Sequence, residues 1–174
     1  PTPTSEAGEN AAKASPFAKD HSVYLGLDRF VYEFDLRKAT GPIMTQPTKD
    51  VSTILQNQDE VNQMSLRYFQ QQNKNKKKGN GKKNKNQQNE MKLYMAACDD
   101  AGTIRVMDGS TEQSVVLHHD PNGIAIVPSC VFRPGQKSLD LVSGGTDCNI
   151  HLWDVLKPKK PISTFKINPY TESG

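Results

Sequence analysis

The sequence is organised around two short apolar runs near its carboxyl end. Residues 139–143 and 149–155 alternate apolar and polar side chains, and a Gly-Gly-Thr-Asp segment lies between them. Alternation indicates β-strands, and the two glycines supply the backbone freedom that a tight turn requires. Residues 139–155 therefore predict a β-hairpin whose last strand ends in Trp153-Asp154.

Two further hairpins end in a similar pair of residues. Residues 21–36 contain two β-rich runs joined by Asp28-Arg29 and close on Phe34-Asp35, and residues 93–108 close on Met107-Asp108. The same alternation predicts additional strands that pair with these hairpins. These strands are expected at 51–56, 61–68, 113–118, 124–132 and 161–167.

Two segments differ from the hairpins in composition. Residues 1–20 are rich in Pro, Ala, Ser, Thr and charged residues, and we expect a disordered arm. Residues 70–90 are a low-complexity insert of Lys, Asn, Gln and Gly, which buries too little to recover the entropy of ordering. The remaining 133 residues give about 44 residues per hairpin, which indicates a repeat. We predict units at about 21–60, 61–118 and 119–174.

Charge and cysteine content limit the functional class. Seven lysines between Lys74 and Lys85 account for the formal net charge of +3, and the remaining residues carry −4. We therefore expect a mildly acidic domain with one basic insert. No apolar run reaches 18 residues, so no membrane contact is predicted. The three cysteines contain no CxxC pair and indicate free thiols in a reducing compartment, hence the cytoplasm or the nucleus. Because the chain begins at Pro1, we expect a piece of a longer protein.

The spacing of polar residues around Trp153 carries a family resemblance. Asp147 lies six residues before Trp153, Ser143 lies ten before it, and His118 or His119 lies about 34 before it. With the segments FDLR, DEVNQMSL, CDDAGTIRVMD, VFRP, LVSGGTD and LWDV, this pattern resembles the WD40-repeat β-propeller family.

The resemblance implies an all-β, partial WD40 propeller of about three four-stranded antiparallel blades. It implies a structural tetrad of His119 (or His118), Ser143, Asp147 and Trp153, a hydrogen-bonded chain within the third blade. The second blade departs from the pattern, because Ala101 stands where the tetrad aspartate is expected. A closed propeller needs roughly four to eight blades, so we expect further chain or a partner to cover the outer blades.

The resemblance also implies a non-enzymatic scaffold that binds protein partners and needs no cofactor. Some members are substrate receptors of cullin–RING ubiquitin ligases, which dock on a propeller adaptor through a blade ending in Trp-Asp-x-Arg. The segment 34–37, Phe-Asp-Leu-Arg, fits that ending, whereas 153–156 lacks the arginine. The predicted adaptor contact is therefore Asp35 and Arg37, because the guanidinium fork can grip carboxylates or carbonyls. The alternative is that Arg37 is only a solvated strand end.

Two groups of residues invite catalytic or metal interpretations. Ser143, Asp147 and His119 match a hydrolase triad in type, but the tetrad also accounts for Trp153, and no GxSxG motif is present. Adjacent residues on a strand point to opposite faces, so His118 and His119 make a poor chelate. The sequence therefore predicts no catalytic residue and no metal site.

The basic insert permits three interpretations. It can be a solvated spacer, a cluster like a nuclear-localisation signal, or a site for RNA or another polyanion. No aromatic residue is available for base stacking, which argues against sequence-selective recognition. The alternative function is thus a nuclear or ribonucleoprotein-associated propeller that contacts RNA through Lys76, Lys77, Lys78, Lys82 and Lys83.

Overall fold

The computed structural model describes residues 22–36, 51–70, 91–135 and 138–168. Within these ranges the chain forms eleven β-strands. None of the described residues belongs to a helix that could span a membrane. The predicted arm and almost all of the lysine-rich insert lie outside the described residues.

The strand bounds follow the predicted runs except at 124–132. In chain order they are β1 (Ser22–Leu27), β2 (Phe30–Asp35), β3 (Val51–Gln56), β4 (Val61–Gln70), β5 (Met91–Asp99), β6 (Thr103–Asp108), β7 (Ser114–His118), β8 (Ser129–Phe132), β9 (Asp140–Gly144), β10 (Asn149–Asp154) and β11 (Ser163–Lys166).

The strands form three antiparallel sheets in which chain neighbours are also sheet neighbours. The first sheet contains β1, β2 and β3, the second contains β4 to β7, and the third contains β8 to β11. The predicted fold class is confirmed, with four strands in two sheets and three described strands in the first. The exact boundaries between the units stay a prediction.

Tight turns fix the register of the hairpins. Asp28 adopts a positive φ of 52° between β1 and β2, and Cys148 adopts 63° just before β10. The third hairpin aligns Trp153 with Leu141 and His151 with Ser143. Side chains that alternate along β10 therefore reach the same face of the sheet as Ser143.

The strand predicted at 124–132 is shorter than expected. It begins only at Ser129. The Asp120 carboxylate accepts hydrogen bonds from the backbone amides of Asn122, Ile124 and Ala125, so it holds the preceding residues in a loop. Pro128 has no amide hydrogen to donate to a sheet. Local turn chemistry therefore overrides the apolar alternation there.

The second sheet is covered on both faces. On one face Met95 and Met107 pack with Val31 and Leu55 of the first sheet. On the other face Ile104, Val106 and Leu117 belong to a buried cluster with Phe132, Leu141 and Trp153 of the third sheet. The outer sheets each expose apolar side chains, which include Val23, Leu25 and Leu27 in the first sheet and Val131 and Phe165 in the third.

Polar contacts align the inner strands β4 and β8. The Gln63 Oε1 atom accepts hydrogen bonds from the Cys130 amide at 2.9 Å and the Ser129 hydroxyl at 2.6 Å. The Ser65 hydroxyl accepts one from the Phe132 amide at 3.1 Å. The Arg67 guanidinium donates to backbone carbonyls that follow β8. These contacts fix how the second and third sheets lie against each other.

Candidate functional site: polar clusters and the strand-end face

A hydrogen-bonded chain of four side chains crosses the third sheet. The Trp153 Nε1–H donates to Ser143 Oγ at 2.9 Å, and Ser143 Oγ lies 2.8 Å from His119 Nδ1. The other ring nitrogen, Nε2, lies 3.2 Å from Asp147 Oδ1. Because Ser143 Oγ accepts from the indole, its own hydrogen is available to Nδ1, and Nε2–H then donates to Asp147. Each of the three hydrogen bonds in this group thus pairs one donor with one acceptor.

The position of each side chain follows from the hairpin. His119 comes directly after β7, Ser143 lies on β9, and Trp153 lies on β10. All three are at least 97% buried. His118 is exposed on β7, so His119 is the histidine that joins the group. This hydrogen-bonded group therefore ties the loop between the second and third sheets to β9 and β10, the middle strands of the third sheet.

Asp147 is the partly exposed end of this group. Its burial opposes ionisation, but hydrogen bonds from the Asn149 amide and side chain and from His119 outweigh it and lower the pKa of Asp147. The Asn149 Nδ2 atom donates to Asp147 Oδ2 at 2.6 Å. The carboxylate is therefore held in one orientation with its negative charge retained.

Gly145 leaves the space that the imidazole and carboxylate occupy. A Cβ atom at this position would stand 2.6 Å from Asp147 Oδ1 and closer still to His119 Nε2. Neither neighbour is the end of a flexible chain, since hydrogen bonds fix both. The third hairpin therefore requires a residue without a side chain here.

A second polar cluster, which the sequence did not predict, joins the first and second sheets. Asp99 is fully buried at the end of β5 and accepts hydrogen bonds from the Thr103 amide at 2.8 Å and the Thr103 hydroxyl at 2.6 Å. It also accepts from Asn57 Nδ2 at 3.3 Å and the Gln58 amide at 3.2 Å. Asn57 directly follows β3, just as His119 directly follows β7, and its Nδ2 also donates to the Ala97 carbonyl at 3.0 Å.

Comparisons with known proteins show which proteins this chain resembles. No family model matches the chain. The chain is 29% identical over 144 residues to the WD repeat-containing protein 53 homolog of Dictyostelium discoideum, which covers 82% of this chain and 31% of that protein. It is 30% identical over 82 residues to a WD repeat-containing protein on the Y chromosome of Anopheles gambiae, covering 42% of this chain and 8% of that protein. Among solved structures, the RRP9 WD40 repeats match with a TM-score of 0.51 and 15% identity, over 84% of this chain and 36% of theirs.

This chain has the fold of WD40 repeats. Each of the three sheets corresponds to a WD40 blade, and a likeness at 15% identity supports the fold alone. The chain spans about a third of the length of the first of these relatives.

The WD40 pattern also shows where the second blade differs from the third. When Met107 is aligned with Trp153, Ala101 falls at Asp147 and Asp99 falls at Gly145. The carboxylate of the second blade thus lies two residues earlier in the turn. The available sequence signal was Asp99 four residues before Thr103, the spacing at which a carboxylate accepts both the amide and the hydroxyl of one residue.

The strands β2, β6 and β10 all end on the face of the blades opposite these clusters. β3 and β5 lead to the bonded Asn57 and Asp99, so β2 and β6, which run antiparallel to them, end on the other face. The same holds for β10, because β7 leads to His119. We call this side the strand-end face; it comprises Asp35, Leu36, Asp108, Asp154 and Leu156.

The strand-end face contains a cleft between the second and third blades. The cleft has a volume of about 260 Å³, and Tyr94, Asp108, Val115, Leu156 and Pro158 are among the residues that line it. Leu156 and Leu36 are both 49% exposed. Apolar and acidic groups therefore lie side by side on this face.

Asp108 is held as an anion inside the cleft. Burial opposes its ionisation, but hydrogen bonds from Ser110 and the nearby Lys92 ammonium outweigh this and lower the pKa of Asp108. The Lys92 Nζ and the Tyr94 hydroxyl each lie 3.3 Å from Asp108 Oδ2. Burial and the Asp108 charge raise the pKa of Tyr94 to about 12, so this hydroxyl keeps its hydrogen.

The predicted contact residues are only partly within the described chain. Asp35 ends β2 and is partly buried, whereas Arg37 lies outside the described residues. The five lysines predicted to contact a polyanion also lie outside them. The ends of the insert are described, since Gln70 pairs with Met91 where β4 ends and β5 begins.

Proposed function

We propose that this chain is a non-enzymatic WD40 scaffold that binds a protein partner on its strand-end face. The observation that carries the proposal is the cleft between the second and third blades, where an exposed leucine, Leu156, adjoins the anionic Asp108. Clefts that combine apolar walls with a few fixed polar groups are the usual form of a specific binding site. The relatives named for WD repeats support the scaffold class.

The chemistry of the cleft selects the kind of side chain that enters it. Asp108 is partly buried, and Lys92 lies at one of its oxygens. The Asp154 carboxylate at the end of β10 accepts the Leu156 amide at 3.0 Å and lies 3.7 Å from Lys157. An arginine from the partner would suit this setting, because its stem can pack on Leu156 while its fork meets the Asp108 carboxylate.

The sharper form of the proposal is a substrate receptor of a cullin–RING ubiquitin ligase. Asp35 and Arg37 are then the contact with the propeller adaptor. Support comes from Leu36, which lies between them in the sequence and is exposed on the strand-end face. Arginine is one of the residue types enriched among those that carry most of the binding energy at interfaces.

Direct binding of purified adaptor to Arg37→Ala tests this form. We expect adaptor binding to be lost while the melting temperature is unchanged. Arg29→Ala is the matched control, because Arg29 lies in the turn between β1 and β2, at the other end of the same hairpin, with its side chain 51% exposed. Adaptor binding by Arg37→Ala equal to that of Arg29→Ala would contradict the receptor role.

A second variant tests the scaffold proposal without assuming an adaptor. Leu156→Glu places a charge in the cleft, and Ile124→Glu places one on an 84% exposed side chain beside the His119 loop, on the opposite face. In cross-linking with mass spectrometry of partners bound in cells, we expect Leu156→Glu to lose partners that Ile124→Glu retains. Identical partner sets would exclude the cleft as the binding site.

The lysine-rich insert gives a further test of the same face. Its described ends lie at the end of β4, beside the strand-end face, so we propose that it steers or hinders a partner there. Deleting residues 73–89 should change both partner affinity and its salt dependence. If deletion instead abolishes a salt-sensitive RNA affinity and leaves protein binding unchanged, the RNA-binding alternative is favoured.

A further inference from the structure

The structure adds a second histidine to the polar cluster of the third blade. A ring nitrogen of His151, a ring nitrogen of His119 and a carboxylate oxygen of Asp147 all lie within 4.8 Å of one another. The two imidazole rings have their centroids 4.3 Å apart. The sequence argument considered only the adjacent pair His118 and His119, and it did not bring His151 into the group.

We propose that His119, Asp147 and His151 form a binding site for a divalent transition metal ion, best suited to Zn²⁺. Two imidazole nitrogens and one carboxylate oxygen are a ligand set that Zn²⁺ uses, with the fourth position left to water or another donor. Ligand atoms around a tetrahedral Zn²⁺ are about 3.4 Å apart, given bonds of about 2.0–2.1 Å. The pair His119 Nε2 and Asp147 Oδ1 already lies at 3.2 Å, so the main adjustment is an approach of His151.

The surroundings orient each ligand. The Nδ1 atom of His151 lies 2.8 Å from the Thr164 hydroxyl, and the Nδ1 atom of His119 lies 2.8 Å from the Ser143 hydroxyl. In His119, Nε2 is therefore the nitrogen that faces the metal; in His151 it is the nitrogen not bonded to Thr164. Outer hydrogen bonds of this kind fix the ring orientation at metal sites. Asn149 does the same for the carboxylate of Asp147.

A metal ion at this site would lie between His119 Nε2 and Asp147 Oδ1, which are hydrogen-bonded to each other without it. Metal binding then replaces the hydrogen bond between His119 and Asp147. The proton of His119 moves from Nε2 to Nδ1, where it faces Ser143 Oγ, so the ring keeps one proton and none is released.

The ligands differ in their access to solvent. Asp147 has 26% of its side chain exposed, whereas that of His119 is fully buried. An ion would therefore enter past Asp147 and bind to the two imidazoles behind it.

Titration of the chelator-treated chain with Zn²⁺ tests the proposal. Isothermal titration calorimetry is expected to show one Zn²⁺ per chain and no binding of Mg²⁺, which prefers oxygen ligands. His151→Gln removes one ligand and leaves the His119, Ser143, Asp147 and Trp153 chain intact, so it should weaken Zn²⁺ at least tenfold. His118→Gln, which changes the exposed neighbour of His119, is the matched control and should bind as the wild type does.

Two additional measurements separate metal ligation from a structural effect. Nitrogen-15 NMR of the imidazoles should show the proton of His119 on Nε2 without metal and on Nδ1 with Zn²⁺. Thr164→Val keeps all three ligands and loses one outer hydrogen bond, so it should weaken Zn²⁺ less than His151→Gln does. This variant also serves if His151→Gln does not fold, because unchanged affinity in Thr164→Val would then count against the site. Failure of the wild type to bind one Zn²⁺, or equal affinity in His151→Gln, would overturn the proposal.

Discussion

The second and third blades tie the incoming loop to the hairpin with different residues. In the third blade the loop supplies His119, which reaches Ser143 and Asp147 at its two nitrogens. In the second blade the loop supplies Asn57, which reaches the Ala97 carbonyl and Asp99 through one amide nitrogen. An imidazole spans a longer distance than a carboxamide, so the carboxylate of the second blade lies nearer to the strand.

The difference teaches that the position of the carboxylate depends on the size of its partner. Asp99 occupies the place at which the third blade has Gly145, and the larger histidine ring excludes any side chain from that place. Ala101 has no carboxylate to match Asp147, and Asp99 supplies the carboxylate of the second blade. Both blades therefore bury a loop next to a strand end, and they place the carboxylate that binds the loop at different positions in the turn.

The largest effect is expected from Asp99→Ala. This change leaves the Thr103 amide and the Asn57 side chain without their buried acceptor, which should lower the free energy of unfolding by about 3 kcal/mol. Urea unfolding monitored by circular dichroism would measure it. Asp100→Ala is the matched control, since the Asp100 carboxylate accepts a hydrogen bond from the exposed Asn62, and its loss should cost under about 1 kcal/mol. Similar losses in both variants would show that the Asp99 cluster does not fasten the second blade.

Gly145→Ala is expected to follow. The added Cβ would press on His119 and Asp147, which should destabilise the chain by about 2 kcal/mol. Gly144→Ala offers a close control, because nothing lies within 4 Å of its Cβ position. Thermal unfolding of the two variants should separate them clearly. Tolerance of alanine at 145 would mean that the imidazole and the carboxylate are not fixed there.

Asp147→Ala should cost less than Asp99→Ala. It removes the acceptor of His119 Nε2–H, but Asp147 is partly exposed, so water can replace it, and we expect a loss of about 1 kcal/mol. Equal melting temperatures for this variant and the wild type would contradict a structural role for the group that contains Asp147. If Asp147→Ala destabilised the chain more than Asp99→Ala does, the polar cluster of the third blade would contribute more stability than that of the second, contrary to our expectation.

The smallest effect concerns pH. The pKa of Asp147 is lower in the folded chain than its ordinary value of 3.8, so the unfolded chain binds the proton more readily. The stability that this carboxylate contributes is complete above that value and is lost as the pH falls through 3.8 and then through the folded pKa. A plot of the free energy of unfolding against pH, between pH 5 and pH 2, should be flatter for Asp147→Asn than for the wild type. Parallel curves would show that Asp147 gains nothing from Asn149 and His119.

The sequence predicted the strands well, because alternation and turn residues are local signals. Trp153, Ser143 and Asp147 could be grouped because their spacing resembles the WD40 pattern, and the structure joins them with His119. The choice between His118 and His119 needed coordinates, since it depends on the strand face to which each residue points. The structural role of the group stays a prediction until the Asp147 variant is measured.

The remaining contacts were out of reach of the sequence for physical reasons. Asn57 and Asp99 are 42 residues apart and meet only because two sheets pack together. His151 joins His119 across a sheet and a loop, which no spacing rule describes. The disordered arm predicted at 1–20 and the role of Arg37 concern residues outside the described ranges, so they stay predictions.

The packing of the second sheet between its two neighbours has a consequence for how the chain opens. In stacked repeats each unit is stabilised by the units it touches, so opening begins at the ends and moves inward. Amide hydrogens of β5 and β6 should therefore exchange with deuterium more slowly than those of β1 and β11, whose sheets the described residues cover on one side only. The order of exchange would trace the stacking of the blades along the chain.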